Sequence, residues 1–312
     1  MLWQARRVME LDVTTRLLLL TFGMRHTMAG VCPARVSSVA HGGCAGLLYA
    51  ARKDQPTMQM STVDVSHVHV MPALDACIQD TSLEWSQAWS HTLRLAPRLR
   101  CDAALPLRAS VDVKDNQFLI TGGLGGLGLR VGSLLQQAGS GLVLTSRSGR
   151  VPRDGQGLEK VLRTLLKGRA SSLVCNVQEG SQVGMCLSYS REGRLGGVVH
   201  AAGISTNNPL SDVILSHITA AFAPKALGAA HLHAALSAQS LKSYLALSSI
   251  STFWNRVGQV CYAAANAFLD AHSGALREHG RAGRSLSLPG VEGMGMGAAL
   301  NVRRSIQMPL ER

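Results

Sequence analysis

The sequence predicts an α/β protein built on a doubly wound parallel sheet. Short, continuously apolar, β-rich runs recur from residue 117 onward, separated by segments long enough for a helix. The first of these runs ends in a glycine-rich turn, TGGLGGLG, that opens a helical stretch. The composition, 46% hydrophobic with 32 glycines and 4% aromatics, suits tight turns and a covered sheet better than a sandwich. Unbroken apolar strands alternating with helices imply a parallel sheet buried on both faces.

QFLIT (117–121) is the first strand, and the helix after it extends to about Gly139. LVLTS (142–146), SLVC (172–175), GVVHAAG (197–203), SYLALSS (243–249) and SLSL (285–288) complete a series of six. Residues 1–115 form a separate block with weaker periodicity. Within it RLLLLTF (16–22) reads as a strand, GCAGLLYAARKD (43–54) as a helix and MQMSTVDV (58–65) as a second strand. LAPRLRCDAALPLRAS (95–110), with two prolines and no clear period, reads as a linker. The division expected is therefore 1–115, a cofactor-binding domain over 116–300, and a short basic tail, 301–312.

A chain of 312 residues holds one large domain or two ordinary ones. Its seven cysteines never form C-x-x-C, which argues against a zinc site or a disulfide framework. The reading expects no metal and a reducing compartment, the cytoplasm or an organelle such as a plastid. LLLL at 17–20 is far too short to span a bilayer. Arg6, Arg7 and Arg16 are interrupted by Glu10 and Asp12 with no small-residue cleavage site after them, so no signal peptide is expected. The net charge of +12 suits an anionic cofactor or an acidic protein partner. Nucleic acid is not expected, because Arg94, Arg98, Arg100 and Arg108 lack interleaved aromatics and no helix-turn-helix pattern accompanies them.

Gly123-x-Gly125-x-x-Gly128 follows a strand and opens a helix, with Gly122, Gly126 and Leu127 completing the turn. Such glycines allow backbone to approach a pyrophosphate, which the helix N-terminus then holds with its N–H groups and partial positive charge. This is the Rossmann arrangement. An NAD site has an acid about 20 residues further on for the ribose 2′-hydroxyl. Here no acid occurs between Gly123 and Arg153, and the second strand ends in Arg147 flanked by Ser146 and Ser148. A guidinium there matches a 2′-phosphate, so the cofactor expected is NADPH.

A carbonyl reductase delivers a proton to oxygen as hydride reaches carbon. A tyrosine serves when a cation draws its pKa down from about 10. Tyr262 heads a helix, Ser248 and Ser249 close the preceding strand, and Lys225 in AFAPKALGAAHLH is the candidate cation. Asn266 stands one turn after the tyrosine. Taken singly, each has an ordinary structural reading.

Taken together, Lys225, Ser249, Tyr262 and Asn266 resemble the catalytic set of ketoreductase domains of type I polyketide synthases, members of the short-chain dehydrogenase/reductase superfamily. The motifs that carry the resemblance are TGGLGGLG, LTSRSG, GVVHAAG, PKALGAAHLH, LSSIS, GQVCYAAANAFLDA and EGMGMG, over residues 116–297. In that family the lysine and asparagine are exchanged relative to the usual superfamily members, which accounts for Asn266 where a lysine is common.

The resemblance implies reduction of a β-ketoacyl thioester on the phosphopantetheine arm of an acyl carrier protein. Tyr262 would donate the proton, Ser249 would bond the carbonyl, Lys225 would lower the tyrosine pKa, and Asn266 would hold the lysine or water network. It extends the cofactor site to Asn176 and Val177 after the third strand and to Ala201, Ala202 and Gly203 after the fourth. Trp254, with Gln259, marks substrate orientation and implies an L-hydroxy (A-type) product. The N-terminal block resembles the later part of the degenerate, cofactor-free Rossmann-like subdomain that precedes the catalytic one, here truncated.

Three departures stand out: Asn176 in place of an aspartate, Pro289 in place of a tryptophan, and a basic tail, NVRRSIQMPLER, in place of a longer lid. Two other readings fit the same residues: a non-catalytic ketoreductase-like fragment, and a stand-alone reductase of small free ketones.

Overall fold

The protein is described from a computed structural model, which covers residues 16–22, 36–65, 71, 73, 75–76, 86–90, 93–98, 113–151, 156–190, 195–254, 256–291 and 295–297. The leader arginines Arg6 and Arg7, most of the 95–110 linker, Cys32, Cys77, Cys101 and the 301–312 tail lie outside the described residues. The chain clusters into two compact units. One comprises the described parts of Met1–Val111 with Thr206–Phe222 and Ile250–Ser285; the other comprises Asp112–Ser205, Ala223–Ser249 and Leu286–Arg312.

The first unit is built on a four-stranded sheet. β1 (Arg16–Phe22) pairs in parallel with β2 (Gln59–Val65), and β2 with β3 (Ser86–Ser90). β4 (Leu93–Leu95) returns antiparallel to β3. The side-chain period of two divides β1 between two cores: Leu17 and Leu19 pack with Met60, while Leu18, Leu20 and Phe22 pack with Val63 and Val65. α1 (Val36–Asp54) lies between β1 and β2 in sequence and starts earlier than the expected residue 43. β3 was not foreseen, because SQAWS is too short and too polar to show a strand pattern.

The second unit contains β5 (Gln117–Thr121), α2 (Gly126–Gln137), β6 (Gly141–Ser146), α3 (Leu158–Leu166), β7 (Ala170–Val174), α4 (Gly180–Ser190) and β8 (Leu195–His200). α5 (Leu215–Phe222), which belongs to the first unit, runs on in sequence into a π-helical turn, Ala223–Leu227, and then α6 (Gly228–Ala235). β9 (Ser243–Ser249), α7 (Val260–Glu278, first unit) and β10 (Gly283–Leu288) follow. The six strands lie in the order β10-β9-β8-β5-β6-β7. Counted from β5, that is the 3-2-1-4-5-6 order of a doubly wound sheet. All six expected strands are present, with ends shifted by at most two or three residues. The sheet core is formed by Phe118, Ile120, Leu142, Leu144, Val199 and Leu247, with Leu129 of α2 and Leu165 of α3 packed on it.

α1 and α7 of the first unit cross through small residues. A β-carbon on Gly42 would collide with that of Ala271, and one on Gly46 with that of Ala267, within reach of the Ala263 carbonyl. The helices therefore run antiparallel, and the C-terminal end of α1 lies toward the start of α7. Leu48, Ala51, Val260, Ala263 and Ala264 fill the space that this approach leaves.

Candidate functional site

In doubly wound sheets ligands bind outside the carboxyl ends of the strands, where the strand order reverses. In the second unit that point lies between β5 and β8, and a cleft of about 490 Å³ opens there. Its floor is the turn after β5. Gly122 holds φ +64°, and a β-carbon on it would stand 2.7 Å from the Ala202 nitrogen. A β-carbon on Gly128 would lie 2.5 Å from the Gly122 carbonyl oxygen. Gly123 is used differently: its N–H donates to the Thr145 carbonyl at 2.8 Å, and a β-carbon would press on Ile120 and Leu144. Gly122, Gly125, Gly126, Leu127 and Gly128 line the cleft, whereas Gly123 supports it from behind.

α2 starts at this turn with Gly125 as its N-cap and no side chain bonded to its first N–H groups. The uncapped donors and the helix dipole suit a pyrophosphate, so the residues present fit a dinucleotide. Ser146, Arg147 and Ser148 line the far end with Arg150. Ser146 Oγ accepts from the Gly149 N–H at 3.0 Å and Ser148 Oγ from that of Arg150 at 3.3 Å, which shapes the loop that presents exposed Arg147. None of the lining residues is acidic.

Cys175, Val177 and Gln178 form the wall after β7. Asn176 stands among them but does not line the cleft; its side-chain oxygen accepts from the Gln178 N–H at 3.3 Å, and its own N–H donates to Gln182 Oε1 at 2.8 Å. A hydrogen bond to the Cys186 thiol, reinforced by burial, pushes the Cys175 thiol well above its ordinary range. Ala201, Ala202 and Gly203 supply the wall after β8. Thr145, Gln156, Gly295 and Met296 also line the cleft. Gly295 and Met296 fall within the EGMGMG motif; Thr145 was missed because it sits inside a strand, and Gln156 because its loop carries no cofactor-binding pattern.

Lys225 is buried, 3% exposed, and is the one buried lysine or arginine among the described residues of this unit. The π turn inserts one residue into an otherwise α-helical path, a feature frequent at functional positions, and it directs Lys225 inward. Nζ donates to the Leu247 carbonyl at 3.1 Å, two residues before Ser249 ends β9. Gly203 makes room: a β-carbon there would stand 2.7 Å from Lys225 Cε.

Tyr262 and Asn266 belong to the first unit. Tyr262 is half-buried in the first turn of α7. Asn266 is fully buried and its Nδ2 donates to the Tyr262 carbonyl at 2.8 Å. Gln259 is the N-cap of α7 and accepts through its carbonyl from the Ala263 N–H at 2.8 Å. Trp254 is 43% exposed, with exposed Phe253 and Val257 near it in sequence. Pro289 is exposed directly after β10. Among the described residues no cluster of metal-ligating side chains occurs, and no helix is long and apolar enough to cross a membrane.

The glycine turn, the strand order and the cleft at the reversal point define a Rossmann-type nucleotide-binding fold of the short-chain dehydrogenase/reductase kind. Residues 116–293 match the family model described as KR domain, and the chain belongs to that family, the ketoreductase domains of polyketide synthases. These domains are NAD(P)H-dependent short-chain reductases.

The chain is 34% identical over 185 residues to the polyketide synthase GfsA of Streptomyces halstedii, covering 58% of this chain and 2% of that protein. It is 34% identical over 188 residues to the spectinabilin polyketide synthase system protein NorB of Streptomyces orinoci, covering 59% of this chain and 9% of that protein. It is also similar to a solved structure of A-type ketoreductases from a modular polyketide synthase. There the TM-score is 0.87 at 26% identity, covering 97% of this chain and 64% of the other. The chain thus spans a small part of the length of these synthases.

Proposed function

We propose that this chain reduces a β-ketoacyl thioester, carried on the phosphopantetheine arm of an acyl carrier protein, to the β-hydroxyacyl thioester with NADPH. The observation that carries the reading is Lys225, a lysine buried beside a dinucleotide-type cleft and held by the Leu247 carbonyl. A buried ammonium is costly without a task, and lowering the pKa of a phenol is such a task. Arg147 and Arg150, with no acidic lining residue, favour the 2′-phosphate of NADPH.

When bound, the nicotinamide supplies the hydride. The uncapped N–H groups of α2 hold the pyrophosphate, and the loop after β6 holds the 2′-phosphate. Ser249 donates to the substrate carbonyl and orients it. Tyr262 gives its phenolic proton to that oxygen as negative charge develops, and Lys225 favours the phenolate left behind. Asn266 steadies the first turn of α7 through the Tyr262 carbonyl. Trp254 and Gln259 flank the substrate and direct an L-hydroxy product. The net charge of +12 suits an acidic carrier protein, with further synthase domains as neighbours. In this reading residues 1–115 are the structural subdomain, 116–300 the catalytic domain and 301–312 a basic tail.

The test follows NADPH absorbance with a small β-ketoacyl thioester mimic, using the wild type and Tyr262→Phe. Turnover that disappears in the variant supports the reading. A folded protein that neither binds nor consumes NADPH overturns it in favour of a non-catalytic role.

A further inference from the structure

Asp54 is the last residue of α1, and its carboxylate bridges two loops remote from it in the chain. Oδ2 accepts from the Leu210 N–H at 2.8 Å, and Oδ1 accepts from the Gly258 N–H at 2.9 Å. The same two loops are joined directly, since the Asn208 N–H donates to the Gly258 carbonyl at 2.7 Å and Asn208 bridges to Gln259. Gly258 holds φ +83°, and a β-carbon on it would stand 3.3 Å from Asn207 Oδ1. All of these residues belong to the first unit.

We infer that Asp54 is a positioning residue that sets how the Gly258 turn and the 206–210 loop are presented at the head of α7, and so sets the stereochemical bias of reduction. The claim rests on the reductase reading above. A carboxylate with both oxygens used on backbone N–H groups fixes two chain segments with one rigid plane, and charged acceptors make the stronger hydrogen bonds. The segments it fixes are those that carry Asn207, Gln259 and, within the first turn of α7, Tyr262. The small-residue crossing at Gly42 and Gly46 keeps the end of α1 at the start of α7, so the carboxylate has a rigid base. Loss of the bridge releases the turn without touching any residue of the nucleotide cleft, whose lining lies wholly in the other unit.

The experiment compares wild type, Asp54→Ala and Asp54→Asn in the full chain. Asn keeps the shape but turns an amide N–H₂ toward a backbone N–H, so it loses one bond even where Ala fails to fold. Expected for both is NADPH affinity close to wild type, kcat for the thioester mimic lower by about tenfold or more, and a shifted ratio of the two β-hydroxy enantiomers. Hydrogen exchange of the 206–212 and 256–262 amides should accelerate while α1 stays protected. Unchanged enantiomer ratio and unchanged exchange overturn the inference, as does a loss of NADPH affinity that parallels the loss of kcat. A wild type that does not consume the probe removes the reductase reading, and the exchange measurement then decides the positional claim by itself.

Discussion

The imidazole of His200 donates from Nε2 to the main-chain carbonyl of Lys225 at 3.0 Å. Its Nδ1 lies 2.7 Å from Thr121 Oγ1, which places the ring between the first strand of the nucleotide-binding sheet and the π turn. A carbonyl only accepts, so Nε2 carries a proton, and Nδ1 shares the second hydrogen bond with the threonine hydroxyl. His200→Ala leaves a buried hydroxyl and a buried carbonyl without this partner. We expect unfolding free energy to fall by about 1–3 kcal/mol, measured by urea titration. Equal midpoints for the two proteins would show that the π turn does not depend on the ring.

Lys225→Met keeps the length of the side chain and removes the charge. On the proposed reading turnover should fall about 100-fold, while NADPH affinity stays near wild type because the cleft keeps its lining. Parallel loss of both quantities would instead make Lys225 a cofactor ligand.

Arg147→Ala removes the guanidinium that the loop after β6 presents. NADPH binding should weaken by roughly 10- to 100-fold, the worth of a charge-assisted hydrogen bond, with NADH binding little changed. Fluorescence titration with both nucleotides reads this directly. An equal effect on the two nucleotides would remove Arg147 from 2′-phosphate recognition.

Gly46→Leu tests the crossing of α1 and α7. The added side chain meets Ala267 and the Ala263 carbonyl, where backbone cannot yield cheaply. The cost should be about 3 kcal/mol or more, the upper range for overpacking. Gly184→Ala, at a helical glycine with nothing near a β-carbon, is the control and should not destabilise.

Burial pushes the Cys261 thiol up to about 11 from 9.0. A folded-state pKa above the unfolded one contributes stability that is complete below pH 9 and is lost as pH rises toward 11. The wild-type melting temperature should therefore drop more steeply than that of Cys261→Ala between pH 8.5 and 11. Parallel curves would assign the alkaline loss to other groups.

The sheet of the second unit was readable in the sequence because its signals are local. Strands buried on both faces must be apolar throughout, as in QFLIT and GLVLTS, and a glycine at φ +64° is demanded by sterics within a few residues. The family and the list of candidate site residues, Lys225 and Arg147 among them, came from the same local patterns. β3 was illegible because SQAWS becomes a strand only through pairing with β2 and β4. The π turn was illegible because one extra residue among small, helix-compatible neighbours leaves no periodic mark. The clustering of 206–222 and 250–285 with the first sheet also has no local signal. Asp54 shows the limit most clearly. In the sequence it ends a helix, RKD, like any solvated acid, and its partners lie 156 and 204 residues away. Contacts at such separation are chosen by the packing of whole helices, here the Gly42 and Gly46 crossing, so only the tertiary structure decided them.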